Sequence, residues 1–299
     1  MNKPHGHPPV SLIIASRNRP DLLWATVASV LQGDERPAEI IVVDQSDTPH
    51  GPPATLSSNS TCKVHYLWTE SVGSSRSRNA GIAAAKYDLL ALIDDDMFVA
   101  PTWFGSLIQA LIDAQPRAVV TGRVLPAEPE LPGGFAPSTK LDEAPVVYVG
   151  RVGGDILYTG NMAMFRSAVD EVGTFDTRLG PGTRFPAAED NDFGFRLLEA
   201  GHSIIYAPEA VVYHRAARGE RDYLRLRWNY GRGQGGFYAK HLSLRDRFML
   251  GRMSRDLLRR VYRAARRAWR QPRGAYGDAI YILGVLAGAG QWILTQRRS

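Results

Sequence analysis

The chain has 299 residues, 44% of them apolar and 22% charged, which allows one sizeable core with an appended segment rather than two equal domains. Its single cysteine, Cys62, excludes an internal disulfide framework and a cysteine-based zinc cluster. The net charge of +6 hides an asymmetry: residues 1–214 carry 16 basic and 25 acidic side chains, a net −9, whereas residues 215–299 carry 20 and 5, a net +15. An acidic body is a poor nucleic-acid binder, and a tail this basic suits an anionic surface.

Residues 1–9 are polar and rich in Pro and His, and are expected to be a disordered tail. The apolar run 10–15 that follows is too short for a signal-peptide core, so a cytoplasmic protein is expected. Asn59-Ser60-Thr61 matches a glycosylation acceptor, a match without weight in a chain read as cytoplasmic. Apolar runs at 10–15, 40–43, 89–93, 118–121 and 211–213 have the form of strands buried on both faces, and helical patterns separate the early ones. The fold class predicted is α/β with a mostly parallel central sheet. Pro20 and Asp21 open a helix to Leu31, with Leu22, Leu23, Thr26, Val27 and Val30 on one face. Further helices are predicted over 75–85 and over 103–114, the latter ending before Pro116. Segments 46–60 and 126–145 are rich in Pro, Gly, Ser and Thr without periodicity and are expected to be loops, the second long enough for a functional flap.

Three polar clusters end three of these strands. Asp94-Asp95-Asp96 directly follows the apolar run 89–93, at the strand edge where open α/β sheets bind ligands. Adjacent carboxylates repel, and a divalent cation relieves them. On an extended segment Asp94 and Asp96 would share one side, facing a metal and its diphosphate. The competing reading is a solvated acidic turn or a helix cap before Pro101. Asp44 ends the second strand and Ser16-Arg17-Asn18-Arg19 the first, so that a carboxylate can accept from a base N–H while Ser16 and Arg17 hold base and phosphates.

Later in the chain Glu189, Asp190 and Asp192 precede the helical pattern 193–199, as an acidic helix start or as a base that takes a proton from an acceptor hydroxyl. Gly160-Asn161 is either a plain turn or a close backbone approach to a bound ligand. Gly231-Arg-Gly-Gln-Gly-Gly236 fits G-x-G-x-x-G, but with no strand before it and no acid about twenty residues on, a dinucleotide site is excluded. A flexible segment or inter-helix loop is expected there, from which Arg227 or Arg232 reaches a diphosphate. Residues 249–270 read as a basic amphipathic helix, with Leu257, Leu258, Val261, Tyr262 and Trp269 opposite Arg255, Arg259, Arg263, Arg266 and Arg270. The apolar stretch 279–294 falls short of the roughly 20 residues needed to span a bilayer and is expected to be interfacial or packed. Residues 245–295 are thus the expected contact with an anionic membrane, and no nucleic-acid partner is expected.

The ordered set Ser11-Leu-Ile-Ile-Ala-Ser-Arg-Asn-Arg-Pro20, Ile41-Val-Val-Asp-Gln-Ser46, Ser77-Arg-Asn-Ala-Gly-Ile82, Leu92-Ile-Asp-Asp-Asp-Met97 and Ala188-Glu-Asp-Asn-Asp-Phe193 resembles the family 2 glycosyltransferases of the GT-A fold, inverting enzymes of the bacterial rhamnosyltransferase-like type. The resemblance spans about residues 10–214. It implies a catalytic domain over 10–215 and a basic helical extension over 216–299. It implies a nucleotide-sugar donor held by Ser16, Arg17, Asp44, Arg76, Arg78, Asp94 and Asp95. The D-x-D pair would be Asp94 and Asp96, with Asp96 the direct ligand of Mn²⁺ or Mg²⁺ and His214 and Asp94 as further metal contacts. Asp190 would be the catalytic base and Glu189 a neighbouring contact. Gln45 stands where many relatives carry a second Asp, which leaves base and donor open. The implied enzyme transfers a sugar to a hydroxyl of a glycan or lipid-linked acceptor at the inner face of the cell membrane. A sugar nucleotidyltransferase and a basic nucleic-acid-binding protein are the alternatives.

Overall fold

A computed structural model of the chain describes residues 7–53, 62–114, 117–216, 218–243 and 245–296. Residues 1–6 of the expected tail and the Asn59-Ser60-Thr61 triplet lie outside the described residues. His7 packs edge-on against Phe104 and bonds to Glu35.

The first strand, β1 (Val10–Ser16), lies parallel to β2 (Glu39–Asp44) on one side and to β4 (Leu89–Asp94) on the other, and β3 (Lys63–Trp68) continues the parallel set beyond β2. Alternation sorts these residues onto two faces. Leu12, Ile14, Ile40, Val42, Ala91 and Ile93 pack with α1 (Pro20–Leu31) and α3 (Trp103–Asp113). Ile13, Leu90 and Leu92 turn the other way, into a second core with Ile82 of α2 (Ser74–Ala84). Burial on both faces is why these strands read as continuous apolar runs rather than alternating ones. α1 spans the residues its pattern predicts, opened by Pro20 whose missing N–H is no loss in a first turn.

Past β4 the sheet becomes mixed. β8 (Asn161–Phe165) runs antiparallel between β4 and β6 (Ala118–Pro129), and β9 (Ser203–Ala216) is parallel to β6. Short β5 (Met97–Val99) and β7 (Val146–Tyr148) pair antiparallel with β9. The order is β3-β2-β1-β4-β8-β6-β9-β5, with β7 pairing β9 off this path. α4 (Arg166–Val172) and α5 (Glu189–Glu199) complete the second face.

Three helices follow: α6 (Glu220–His241), α7 (Phe248–Arg267) and α8 (Pro272–Gln296). They correct the reading of residues 231–236, which are neither flexible nor a loop but the middle of α6. A Cβ at Gly235 would lie 2.1 Å from the Val285 carbonyl oxygen, and one at Gly288 2.1 Å from that of Arg232. Gly231 and Gly235 therefore let α6 pack backbone to backbone with α8, whereas Gly233 lies against the Ala187 backbone and Gly236 against the Phe185 ring. α8 is also longer than predicted: residues 272–295 suffice by length and hydropathy to cross a membrane, although 39% of their most apolar window is buried, largely against α6.

α7 packs with an unusual orientation. Its inward side carries Arg252 and Arg260, which bond to Asp155 and Asp278, beside Met249, Met253 and Leu257. Leu258, Val261, Tyr262 and Trp269 face outward, the last 97% exposed. α8 adds Leu283, Leu286 and Leu294 to the exposed apolar surface.

Candidate active site

The carboxyl ends of β1, β2 and β4 meet at one edge, and the polar residues that end them interlock. Asp94 closes β4, Asp95 and Asp96 form a turn, and the chain enters β5 at Met97. This turn corrects the expectation that Asp94 and Asp96 share one face of an extended segment. Asp94 accepts from Arg78 at 2.8 Å, while Asp96 accepts from Arg19 at 2.8 Å and faces His214 at 3.6 Å. Asp95 points inward, accepting from the Ser16 hydroxyl at 2.6 Å and pairing with Arg19 at 3.1 Å. Burial pushes the Asp95 carboxyl up to about 7, against the pull of Arg19. At Asp96 burial works in the same direction, but His214 and Arg19 outweigh it and hold the carboxyl well below the usual range. Arg19, which no pattern had assigned a role, is thus the cation shared by Asp95 and Asp96, while Arg78 compensates Asp94. Arg19 follows Asn18, whose φ of 54° turns the chain back onto the triplet.

The expected metal ligands Asp96 and His214 come together. The Nδ1–H of His214 donates to the Ser138 carbonyl at 2.8 Å, which leaves Nε2 toward Asp96 Oδ1. A histidine held through its other nitrogen by a backbone carbonyl is poised as a ligand, so this pair fits a divalent cation. Among the described residues no set of three or more His, Cys, Asp or Glu side chains converges as a complete cage. The remaining positions would fall to oxygens of water or substrate. Ser138 belongs to the expected flap 126–145, which is tied down by bridges from Lys140 to Val124 and from Phe135 to Arg218.

Arg78 is the second organiser. Buried at the second turn of α2, it gives one nitrogen to Asp94 and the other to Glu189, each at 2.8 Å, joining the acidic triplet to the start of α5. There Asp190 follows a left-handed Ala188 (φ 70°), an uncommon conformation for a side-chain-bearing residue. Burial, with the charges of Glu189 and Asp155, pushes the Asp190 carboxyl well above the usual range. Gly160 sits beneath Asp94: a Cβ there would lie 2.5 Å from Asp94 Oδ2. Gly160→Val is therefore expected to dislodge Asp94 and reduce turnover at least about tenfold with the fold retained. Near-parental turnover in a folded variant would show that Asp94 need not be seated there.

Other expected residues take different places. Asp44 is buried, accepting from the Ser46 amide (2.8 Å) and hydroxyl and from the Tyr66 hydroxyl (2.6 Å), partners that sequence patterns did not indicate. Arg17 pairs with Asp47 at 3.3 Å across the ends of β1 and β2. Arg76 is exposed and donates to the Val72 carbonyl. Asn161 is corrected from a ligand contact to a structural link. Fully buried, it donates to the Arg123 and Ala210 carbonyls and accepts from the Trp103 indole, clamping the irregularity between β6 and β9 at Gly122 and Arg123. Arg227 and Arg232 are likewise corrected, since α6 is continuous. Arg227 pairs with Asp278 at the base of α8, and Arg232 bonds to Gln291 and the Arg184 carbonyl.

The chain matches the family described as Glycosyl transferase family 2 over residues 11–173, more than half its length. It is 29% identical over 248 residues to the pre-mycofactocin glycosyltransferase of Mycobacterium tuberculosis, a match covering 79% of this chain and 48% of the relative. It thus spans about half the length of that relative. It is also 29% identical over 236 residues, covering 73% of each chain, to the glucosyl-dolichyl phosphate glucuronosyltransferase of Haloferax volcanii. Among solved structures, the mannosyltransferase PcManGT of Pyrobaculum calidifontis, in complex with GDP-Man and Mn²⁺, shares the fold with a TM-score of 0.63 and 15% identity over 95% of this chain and 88% of that one. With its three parallel strands ending in the polar clusters of this edge, the chain belongs to glycosyl transferase family 2.

Proposed function

We propose that the chain transfers a sugar, with inversion, from a nucleotide-diphosphate-sugar donor to an acceptor hydroxyl, assisted by a divalent cation held by Asp96 and His214. The observation that supports this reading is the Arg78 bridge, which ties Asp94 of the triplet to Glu189, the neighbour of Asp190. Ser16, Arg17, Asp44 and Arg76 border the donor side, and Asp95 braces the turn. When bound, the cation supplies Lewis-acid neutralisation of the charge that builds on the departing diphosphate. The imidazole of His214 favours Mn²⁺ over Mg²⁺, which prefers all-oxygen shells. Arg78 fixes the two carboxylates it touches. Asp190, its proton affinity raised by burial, takes the acceptor proton as the hydroxyl attacks. Turnover measured over a panel of nucleotide sugars tests the reading; no transfer or hydrolysis with any donor would contradict it.

The acceptor is proposed to reside at the cytoplasmic face of a membrane, with α7 and α8 lying on the bilayer. The outward Leu258, Val261, Tyr262 and Trp269, flanked by Arg259, Arg263 and Arg266, support this. Val261→Asp with Trp269→Asp is expected to lower binding to anionic vesicles at least about tenfold in sedimentation. Undiminished binding would place the membrane contact elsewhere or nowhere.

A further inference from the structure

Between α7 and the loop 153–155 lies a cavity of about 290 Å³ that the donor site does not use. Five arginines line it, Arg252, Arg255, Arg259, Arg260 and Arg263, against two carboxylates, Asp155 and Asp256. The carboxylates are already engaged. Arg252 bonds to Asp155 at 2.6 Å, and Asp256 accepts from the hydroxyls of Tyr238 (3.1 Å) and Tyr281 (2.9 Å). Arg255 donates only to the carbonyl of Gly251 in its own helix, and among the described residues no carboxylate pairs with Arg259 or Arg263. These three recur at every fourth residue of one helix face, a spacing at which like charges repel unless an anion lies among them. The mostly buried Arg260 is itself committed, to Asp278 at 3.0 Å and to Asp256 at 3.5 Å, so the free charge of the cavity comes from Arg255, Arg259 and Arg263.

The cavity adjoins the region of the proposed base. Gly154 and Arg252 line both it and the adjoining narrow crevice that holds Asp190. A chain of bonds runs the same way: Arg252 to Asp155, Gln234 to Asp155 at 3.4 Å, and Asn191, next to Asp190, to Gln234 at 2.8 Å. We propose that this arginine cavity is the acceptor subsite for a phosphate or diphosphate ester, so that the attacked hydroxyl belongs to a phosphate-bearing acceptor. The inference rests on the glycosyl-transfer reading above. Arginine suits the role because its planar fork grips phosphate oxygens bidentately and holds its charge at any working pH. The outward apolar face of α7 lies beside the same arginines, where the lipid end of such an ester would rest.

Titration of the full chain in metal-free buffer with farnesyl diphosphate, inorganic pyrophosphate and farnesol tests this. Arg259→Gln with Arg263→Gln removes two exposed guanidinium groups without carboxylate partners, and a melting curve checks that the variant is folded. The proposal expects farnesyl diphosphate and pyrophosphate to bind the parent, farnesol to bind much more weakly, and the double variant to lose about tenfold or more in diphosphate affinity. Equal diphosphate affinity in parent and variant would overturn it. So would a variant that loses only its binding to anionic vesicles, since the arginines would then read bilayer headgroups. A nucleotide-sugar assay on the parent keeps the two readings apart: absent turnover defeats the glycosyl-transfer reading, whereas unchanged diphosphate binding in the variant defeats only this subsite.

Discussion

Asp190→Asn is expected to reduce glycosyl transfer by about 10²- to 10⁴-fold while leaving the affinity for donor nucleotide within a few-fold of the parent. The amide keeps the shape and the hydrogen bond that Oδ1 accepts from the Asn191 amide at 2.8 Å, but it cannot take a proton. The groups that set the carboxyl's proton affinity surround it. Glu189 and Asp155 add negative charge, Arg78 opposes them, and burial dominates all three. The acting form is the carboxylate, so kcat/KM falls as pH drops through a pKa raised above the ordinary aspartate value of roughly 3.9. The acid limb of the profile therefore lies above that value in the parent and is absent from the residual activity of Asp190→Asn. Full transfer by the Asn variant, measured by product formation with a turned-over donor, would move the base elsewhere.

Arg78→Met is expected to be the most damaging substitution for both stability and activity. Its guanidinium is the bonded cation for Glu189, whose side chain is 8% exposed, and for Asp94, at 35%. Methionine conserves much of the volume, so the loss is chiefly of charge. An uncompensated buried ion costs about 3–5 kcal/mol, and partial exposure of Asp94 favours the lower end. A fall in the denaturant midpoint with unchanged slope, together with loss of donor turnover, is the expected result. Arg78→Lys, retaining charge but not the fork, is expected to recover stability better than activity. A Met variant as stable as the parent would show that the bridge is incidental.

What the sequence revealed follows what its residues do locally. The runs 10–15, 40–43 and 89–93 could be placed because burial on both faces leaves an unbroken apolar signature, and the edge they define carries the polar clusters. β3 gave little signal because it lies at the sheet edge with Lys63, His65, Leu67 and Trp68 exposed. Residues 160–162 read as a turn because Gly160 hides the strand start, yet Gly160 is needed there to seat Asp94. The partnerships of Arg19, Tyr66 and Ser138 depend on residues 22 to 77 positions away, which no local pattern encodes. The glycines of α6 were the most misleading feature. Glycine lowers helix propensity, and its use in α6 is explained only by neighbours distant in sequence, the α8 backbone at Gly231 and Gly235, Ala187 at Gly233 and Phe185 at Gly236.

The central claim is that Asp96 and His214 hold the cation on which sugar transfer depends. It is tested most directly by donor turnover in chelator-treated protein, before and after Mn²⁺ is restored, for the parent and for Asp96→Ala. Chelation is expected to abolish turnover, and Mn²⁺ to restore it in the parent but not in Asp96→Ala at any accessible concentration. Turnover that survives chelation, or that Mn²⁺ restores equally in both proteins, would contradict it.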